Sequence, residues 1–341
     1  MFSLVTGGNG FIGGHLTRFL TEKGEKVRVL VRPQSDLRAL EGLPVEMVRA
    51  DLRDADCLPE AVRGVQRIYH AAADYRLWSK HPQELYESNV AGTRNLLSVA
   101  CHAGVERFIY TSSVGTLVSP RAKTLADEQA HLRLEDMVGH YKRSKFLAEQ
   151  VALRAARDGQ PVVIVNPTTP VGPGDWKPTP TGRIIRDFLN GQIPAYVDTG
   201  LNLVAVEDVA EGHWLAAERG RVGERYILGG RNMTLKEILE SLSALSGRPR
   251  PRLRLPHAIP YLVSLIDSLA SRLLDREPRI PLESVRLARH KMFVDSSKAQ
   301  TELGFQARPI EAALERAIRW YAEHGYLKDP IARSTTRECA A

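Results

Sequence analysis

Phe2-Ser3-Leu4-Val5-Thr6-Gly7-Gly8-Asn9-Gly10-Phe11-Ile12-Gly13 opens the chain, and the architecture can be read outward from it. The apolar run to Val5 reads as a buried strand. Beyond the glycines, Ile12, Leu16, Phe19 and Leu20 recur at helical spacing. The glycines at 7, 10 and 13 allow a tight turn whose backbone N–H groups approach a pyrophosphate at the helix N-terminus, where the helix dipole favours negative charge. Glycines alone serve any sharp turn; the strand–turn–helix context is what points to a dinucleotide. Thr6, Gly7, Gly10, Phe11, Ile12 and Gly13 are therefore the first cofactor-binding candidates.

Further β-rich runs follow at Val27–Val31, Val45–Val48, Arg67–His70, Arg107–Thr111 and Val162–Val165. Helical patterns lie between them, for example Val90, Leu97, Ala100 and Cys101 on one face. This alternation predicts an α/β fold, a doubly wound parallel sheet of Rossmann type covered on both sides. After Asn166-Pro167 the texture changes, and Asn166–Thr181, dense in Pro, Gly and Thr, reads as a long loop. A strand at Leu201–Val206, a helix from about Asp208 to Glu218 and a strand at Arg225–Leu228 come next. From Thr234 the pattern is mainly helical, with Thr234 and Glu237 at capping-box spacing. The expected organisation is a dinucleotide-binding domain over 1–165, with 202–230 partly returning to it. A smaller, mainly helical substrate domain comprises 166–201 and 231–330, followed by a frayed tail at 331–341.

The 341 residues suffice for a large domain with a smaller partner, and 43% hydrophobic beside 26% charged residues is the composition of an ordinary globular chain. The net charge of +7 arises from scattered cations without any run like a nucleic-acid-binding arm. No nucleic-acid partner is therefore expected, and a few cations are left for a phosphate-bearing cofactor. Cys57, Cys101 and Cys339 form no CxxC pair and have no companion histidines, which argues against a disulfide framework or a metal site. No secretory signal is visible, and no window nears the roughly 20 apolar residues of a spanning helix, so the expected location is the cytoplasm.

The second strand ends in Val31-Arg32-Pro33. A site for NAD usually has Asp or Glu there, about 20 residues past the glycines, to bond the ribose 2′-hydroxyl. Arg32 instead suits a 2′-phosphate through charge-assisted bonds, with a solvated arginine and a ribose contact from Asp36 as the alternative. NADP(H) is thus preferred over NAD(H). Asp51 and Leu52 after the third strand suit an adenine pocket, although Asp51 alone would more often be a cap or turn residue. Ala71, Ala72 and Ala73 after the fourth strand let a cofactor lie close to the backbone, or simply permit close packing.

Thr111-Ser112-Ser113 closes the fifth strand at the sheet edge that binds ligands, and Tyr141 and Lys145, four apart, share one face of a helix. A tyrosine with its ordinary pKa of about 10 is a poor acid–base group at neutral pH. A cation one turn away, with the positive charge of an oxidised nicotinamide, would lower that pKa, and Ser113 could orient a substrate oxygen. Singly each feature is ordinary; their order along the chain is the one a single site requires.

TGGNGFIG, HAAA, Asn89-Val90-Ala91-Gly92-Thr93, TSS and YKRSK together resemble the extended short-chain dehydrogenase/reductase superfamily, over nearly the whole chain. Arg32 and TSSVGT resemble its dihydroflavonol-4-reductase branch. Ala73–Trp78, Gly139–Lys145 and Lys177–Arg183 resemble the bacterial hopanoid-associated sugar epimerase family. The resemblance implies a triad of Ser113, Tyr141 and Lys145, with Lys145 also bonding the nicotinamide ribose and Asn89 supporting the site. It places Tyr141, Lys145, Pro167 and Thr168 against the cofactor, and Asp74, Tyr75, Trp78, Lys177, Thr179 and Arg183 toward the substrate. It also implies a homodimer.

Three functions follow. The leading one is reduction of a carbonyl on a sugar-like, polyol or hopanoid-side-chain substrate by NADPH, with Tyr141 giving the proton. The second is an epimerase or dehydratase that retains its cofactor, and the third a non-catalytic dinucleotide sensor. The segment His257–Leu274 has an apolar helical face that reads as core or dimer contact, with peripheral membrane contact as the alternative.

Overall fold

The computed structural model describes residues 1–119, 124–274, 276–278 and 280–329; the tail expected at 331–341, with Cys339, lies outside the described residues. Strands β1 (Phe2–Thr6), β2 (Lys26–Val31), β3 (Val45–Arg49), β4 (Arg67–His70), β5 (Arg107–Thr111) and β6 (Val162–Pro167) join Arg225–Leu228 in one sheet. Every pairing in it is parallel, and the order is Arg225–Leu228, β6, β5, β4, β1, β2, β3. The chain runs outward from β1 to β3, then restarts at β4 on the other side of β1. The carboxyl ends of β1 and β4 therefore flank the topological switch point, where doubly wound sheets take ligands.

Helices on both faces explain why the central strands are unbroken apolar runs rather than alternating ones. Phe11–Glu22 and Val206–Arg219 pack together on one face, burying Leu16, Leu20, Val209 and Ala216. Gly92–His102 and Gly139–Arg157 cover the other, burying Leu96, Leu97, Ala148 and Ala152.

Past β6 the structure departs from the sequence reading. The expected loop Asn166–Thr181 contains a strand, Thr169–Val171, and ends in the helix Pro180–Leu189. Its Pro and Gly density hid both elements. The expected strand at Leu201–Val206 is Gly200–Ala205, and it pairs outside the main sheet, with Thr169–Val171, Arg231–Thr234 and Lys291–Met292. Its β-rich composition could not say which sheet it would join. Helices Pro180–Leu189, Leu235–Ser246 and Ile310–Glu323 bury Leu189, Leu242 and Leu314 against this small sheet. The capping box forms, with the Thr234 N–H donating to Glu237 Oε2 at 2.7 Å and the Glu237 N–H to Thr234 Oγ1 at 3.2 Å. Helix Ala258–Leu273 overturns the core reading of its apolar face, because that face points to solvent.

Candidate active site

At the switch point the glycine turn presses against the end of β4. Gly7 has φ +70°, and a Cβ on it would stand 2.7 Å from the Ala72 Cα. A Cβ on Gly13 would overlap the Gly7 carbonyl oxygen, which accepts the Gly10 N–H at 2.8 Å. Helix Phe11–Glu22 begins at Gly10 with no side-chain cap and no acidic residue in its first turn. Its first N–H groups thus remain for an anion at the positive end of the dipole, and the cradle fits a pyrophosphate.

Behind the turn, buried polar groups bind β1, β4 and the Asn89 segment together. The Ala72 N–H donates to Thr6 Oγ1 at 3.3 Å, and Thr6 Oγ1 lies 2.7 Å from His70 Nδ1. His70 Nε2 is 2.9 Å from Thr93 Oγ1, which donates to the Asn89 carbonyl at 2.6 Å. Since the Thr93 proton is spent on that carbonyl, the network assigns the proton of neutral His70 to Nε2. Burial pushes the His70 pKa down to about 3, so the ring stays neutral at physiological pH.

Arg32 follows β2 on the surface, where its N–H donates to Ser35 Oγ at 3.1 Å. Asp36, the alternative ribose contact, is held by Arg38, whose Nε lies 2.9 Å and 3.1 Å from its two carboxylate oxygens. Arg38, six residues past Arg32, escaped the sequence reading although it stands at the same corner and stacks on Trp176 at 4.3 Å. Asp51 accepts from the Arg53 N–H at 2.9 Å and from its guanidinium at 2.7 Å, which holds the carboxylate below its ordinary pKa. That is a turn residue's arrangement. Leu52 packs against Gly92, and its carbonyl accepts from Asn95 at 3.0 Å. The Ala71 N–H donates to the Thr6 carbonyl at 3.2 Å, so Ala71–Ala73 follow β4 directly beside the turn. Pro167 ends β6 opposite Leu228, and the Thr168 N–H donates to the Leu228 carbonyl at 3.2 Å.

Ser113 leaves β5 as the cap of a short turn, its Oγ accepting the Gly115 N–H at 3.1 Å. The same side chain lies near enough to the Tyr141 phenol to oppose the effect of burial on it. Burial raises the Tyr141 pKa and Ser113 offsets it, which reverses the lowering expected from Lys145. The reason is geometric: the Lys145 amine is turned back to the Thr111 carbonyl, at 2.6 Å, and over the Tyr110 ring, at 4.8 Å. Burial holds Lys145 down at about 8. The anchor of this helix is Glu149, which sequence reading missed because it is one turn further from the motif. Its carboxylate accepts from Ser112, from Thr116 at 2.9 Å and from Asn166 at 2.9 Å, tying β5 and β6 to the Tyr141 helix.

Asn89 is a positioning residue. Its amide donates to the Asp74 carbonyl and to Ser144 Oγ, both at 2.9 Å, and its oxygen accepts the Asp74 N–H at 2.7 Å. All its hydrogen-bonding groups hold the Asp74 segment against the Tyr141 helix. In the loops expected to face a substrate, the Tyr75 hydroxyl donates to the Lys177 carbonyl at 3.4 Å, so the two loops meet. Trp78, Lys177 and Arg183 are exposed there. Asp74 is bound by Arg76 at 3.0 Å. Thr179 caps the helix Pro180–Leu189: Oγ1 accepts the Gly182 N–H at 3.1 Å and donates to Asp175 at 2.8 Å.

A doubly wound sheet with a glycine turn at its switch point is a dinucleotide-binding architecture, and the family match makes the chain an NAD(P)-dependent enzyme of the extended short-chain dehydrogenase/reductase type. The chain belongs to the NAD dependent epimerase/dehydratase family, whose model matches residues 3–229. It is 47% identical over 328 residues to a Synechocystis protein described as "Putative dihydroflavonol 4-reductase", covering 95% of each chain. It is 38% identical to sterol demethylase protein B of Methylococcus capsulatus, over 96% of this chain and 100% of that one. The crystal structure of gox2253 superposes with a TM-score of 0.86 at 45% identity, covering 96% of this chain and 99% of that one.

Proposed function

We propose that the chain is an NADP(H)-dependent reductase of a carbonyl on a sugar-like, polyol or hopanoid-side-chain substrate. The observation that carries the cofactor choice is the end of β2, where Arg32 stands free of any carboxylate bond among the described residues while Asp36 is already held by Arg38. An unpaired guanidinium recognises a 2′-phosphate through charge-assisted bonds, and no carboxylate is left to take the ribose hydroxyls. NADPH, when bound, supplies the hydride. Tyr141, kept protonated by burial, donates its proton to the carbonyl oxygen, and Ser113 orients that oxygen. Lys145 uses one N–H on the Thr111 carbonyl and has two more to offer the nicotinamide ribose. The reductase name of the Synechocystis relative supports the direction.

The test is a titration of NADPH against NADH with an Arg32→Ala control, followed by stoichiometry. We expect preferential NADPH binding, weakened roughly 10- to 100-fold in the variant through loss of a charge-assisted bond. One NADPH should be consumed per turnover. A cofactor that co-purifies and is not consumed would assign the chain to the retained-cofactor epimerases or dehydratases instead.

A pH dependence follows from Lys145. With its pKa pulled down to about 8, raising the pH through that value removes the proton and its positive charge. NADPH affinity is expected to be full on the acid side of pH 8 and to fall on the alkaline side, as read by fluorescence titration at each pH. A flat profile across pH 8 would remove Lys145 from cofactor binding.

A further inference from the structure

Helix Ala258–Leu273 faces the opposite way from a helix in water. Its inner side is polar: Ser264 and Ser271 are buried, Ser264 donates to the Ile280 carbonyl at 2.9 Å, and Asp267 pairs with Arg276 at 2.7 Å. Its outer side is Ile259, Leu262, Val263, Ile266, Leu269 and Leu273, between 45% and 87% exposed. Steps of three and four put these six on one stripe, and an amphipathic helix of a globular protein turns such a stripe inward. Single exposed leucines are ordinary; a continuous apolar stripe is a contact surface.

We propose that this stripe docks the protein on a bilayer carrying anionic headgroups, with the helix lying flat in the interface. Among the described residues no helix is long and apolar enough to cross a membrane, so the contact is peripheral. The surroundings carry the matching charge. Arg252 is exposed in the segment leading into the helix, and Arg286 on the neighbouring helix Leu282–Leu287, which packs against it. Arg289 reaches the helix directly, stacking on Tyr261 at 4.8 Å. Among the described residues the nearby acids are largely paired: Asp198 takes Arg254 and Lys291, Asp267 takes Arg276, and Glu283 faces the His140 N–H, with Glu277 exposed at the far end. A second copy fits less well. A helix of this length is about 24 Å long, so its stripe offers a few hundred Å², short of the roughly 800 Å² per partner of a stable interface. Self-pairing would also bring the arginines together. His257, just before the helix, and Arg289 line a cleft of about 720 Å³, so docking carries the mouth of that cleft to the lipid surface.

Flotation with vesicles of phosphatidylcholine, with and without phosphatidylglycerol, tests this directly. The wild-type chain should float with the mixed vesicles and less with phosphatidylcholine alone. Combined Leu262→Ser, Ile266→Ser and Leu269→Ser should lower the floated fraction by at least about tenfold, since each removes a leucine-sized apolar burial. All three side chains are exposed, so NADPH binding should be unchanged, and Leu269→Asp alone provides a second variant with the same expected loss. Absence of wild-type flotation, or equal flotation of the variants, would overturn the proposal. So would a concentration-dependent dimer, seen by sedimentation without lipid, that the same substitutions abolish while nothing floats.

Discussion

Tyr141→Phe is expected to lower kcat by about 10²- to 10⁴-fold, the usual worth of a positioned proton donor, while leaving NADPH affinity within error of wild type. The two readouts separate because different atoms serve them. The phenol hydroxyl faces Ser113, whereas the cradle that fits a dinucleotide is built from the glycine turn. Phenylalanine keeps the ring and its packing, so the structural cost is one partly buried hydrogen bond, about 1 kcal/mol, too little to unfold the chain. Stopped-flow hydride transfer beside a fluorescence titration of NADPH checks both. Retained kcat would remove Tyr141 from the chemistry, and with it the proton-donor reading.

Gly13→Ala is expected to weaken NADPH binding by roughly 10- to 100-fold or more. Two effects oppose each other. Alanine favours a helix over glycine by about 1 kcal/mol, which would stabilise the first turn of Phe11–Glu22. The added methyl, however, falls on the Gly7 carbonyl, a backbone atom that already accepts the Gly10 N–H at 2.8 Å. Relieving that overlap opens the turn and costs typically 1–3 kcal/mol, so the clash prevails. The same displacement moves the free N–H groups away from where a pyrophosphate sits. A thermal melt with and without NADPH reads the result: the wild type should gain stability on binding, and the variant should gain less at the same NADPH concentration. An equal gain in the variant would show that the turn is structural only.

Legibility ended where local pattern ended. The strands from β1 to β6 could be placed because a strand buried on both faces reads as an unbroken apolar run between helical periods. Ser113 stood out just past the end of β5, and Tyr141 and Lys145 by their four-residue spacing in the first half of helix Gly139–Arg157. The Pro- and Gly-rich segment concealed Thr169–Val171, and nothing local in Gly200–Ala205 announced a second sheet. That the Thr179 hydroxyl caps its helix and bonds Asp175 could not be read from its neighbours in sequence.

By itself, then, the sequence determined the glycine turn, the alternation that makes a doubly wound sheet, and the order of the groups along it. These depend on residues within one or two turns of each other. Tertiary structure alone decided what those groups face: Arg38 on Asp36 and Trp176, Lys145 turned to the Thr111 carbonyl, Glu149 tying β5 and β6 to the Tyr141 helix, and the leucines of Ala258–Leu273 outward. Periodicity says that a helix has an apolar side. Only the packing of Ser264 and Asp267 against their neighbours says which side is left for something else to cover.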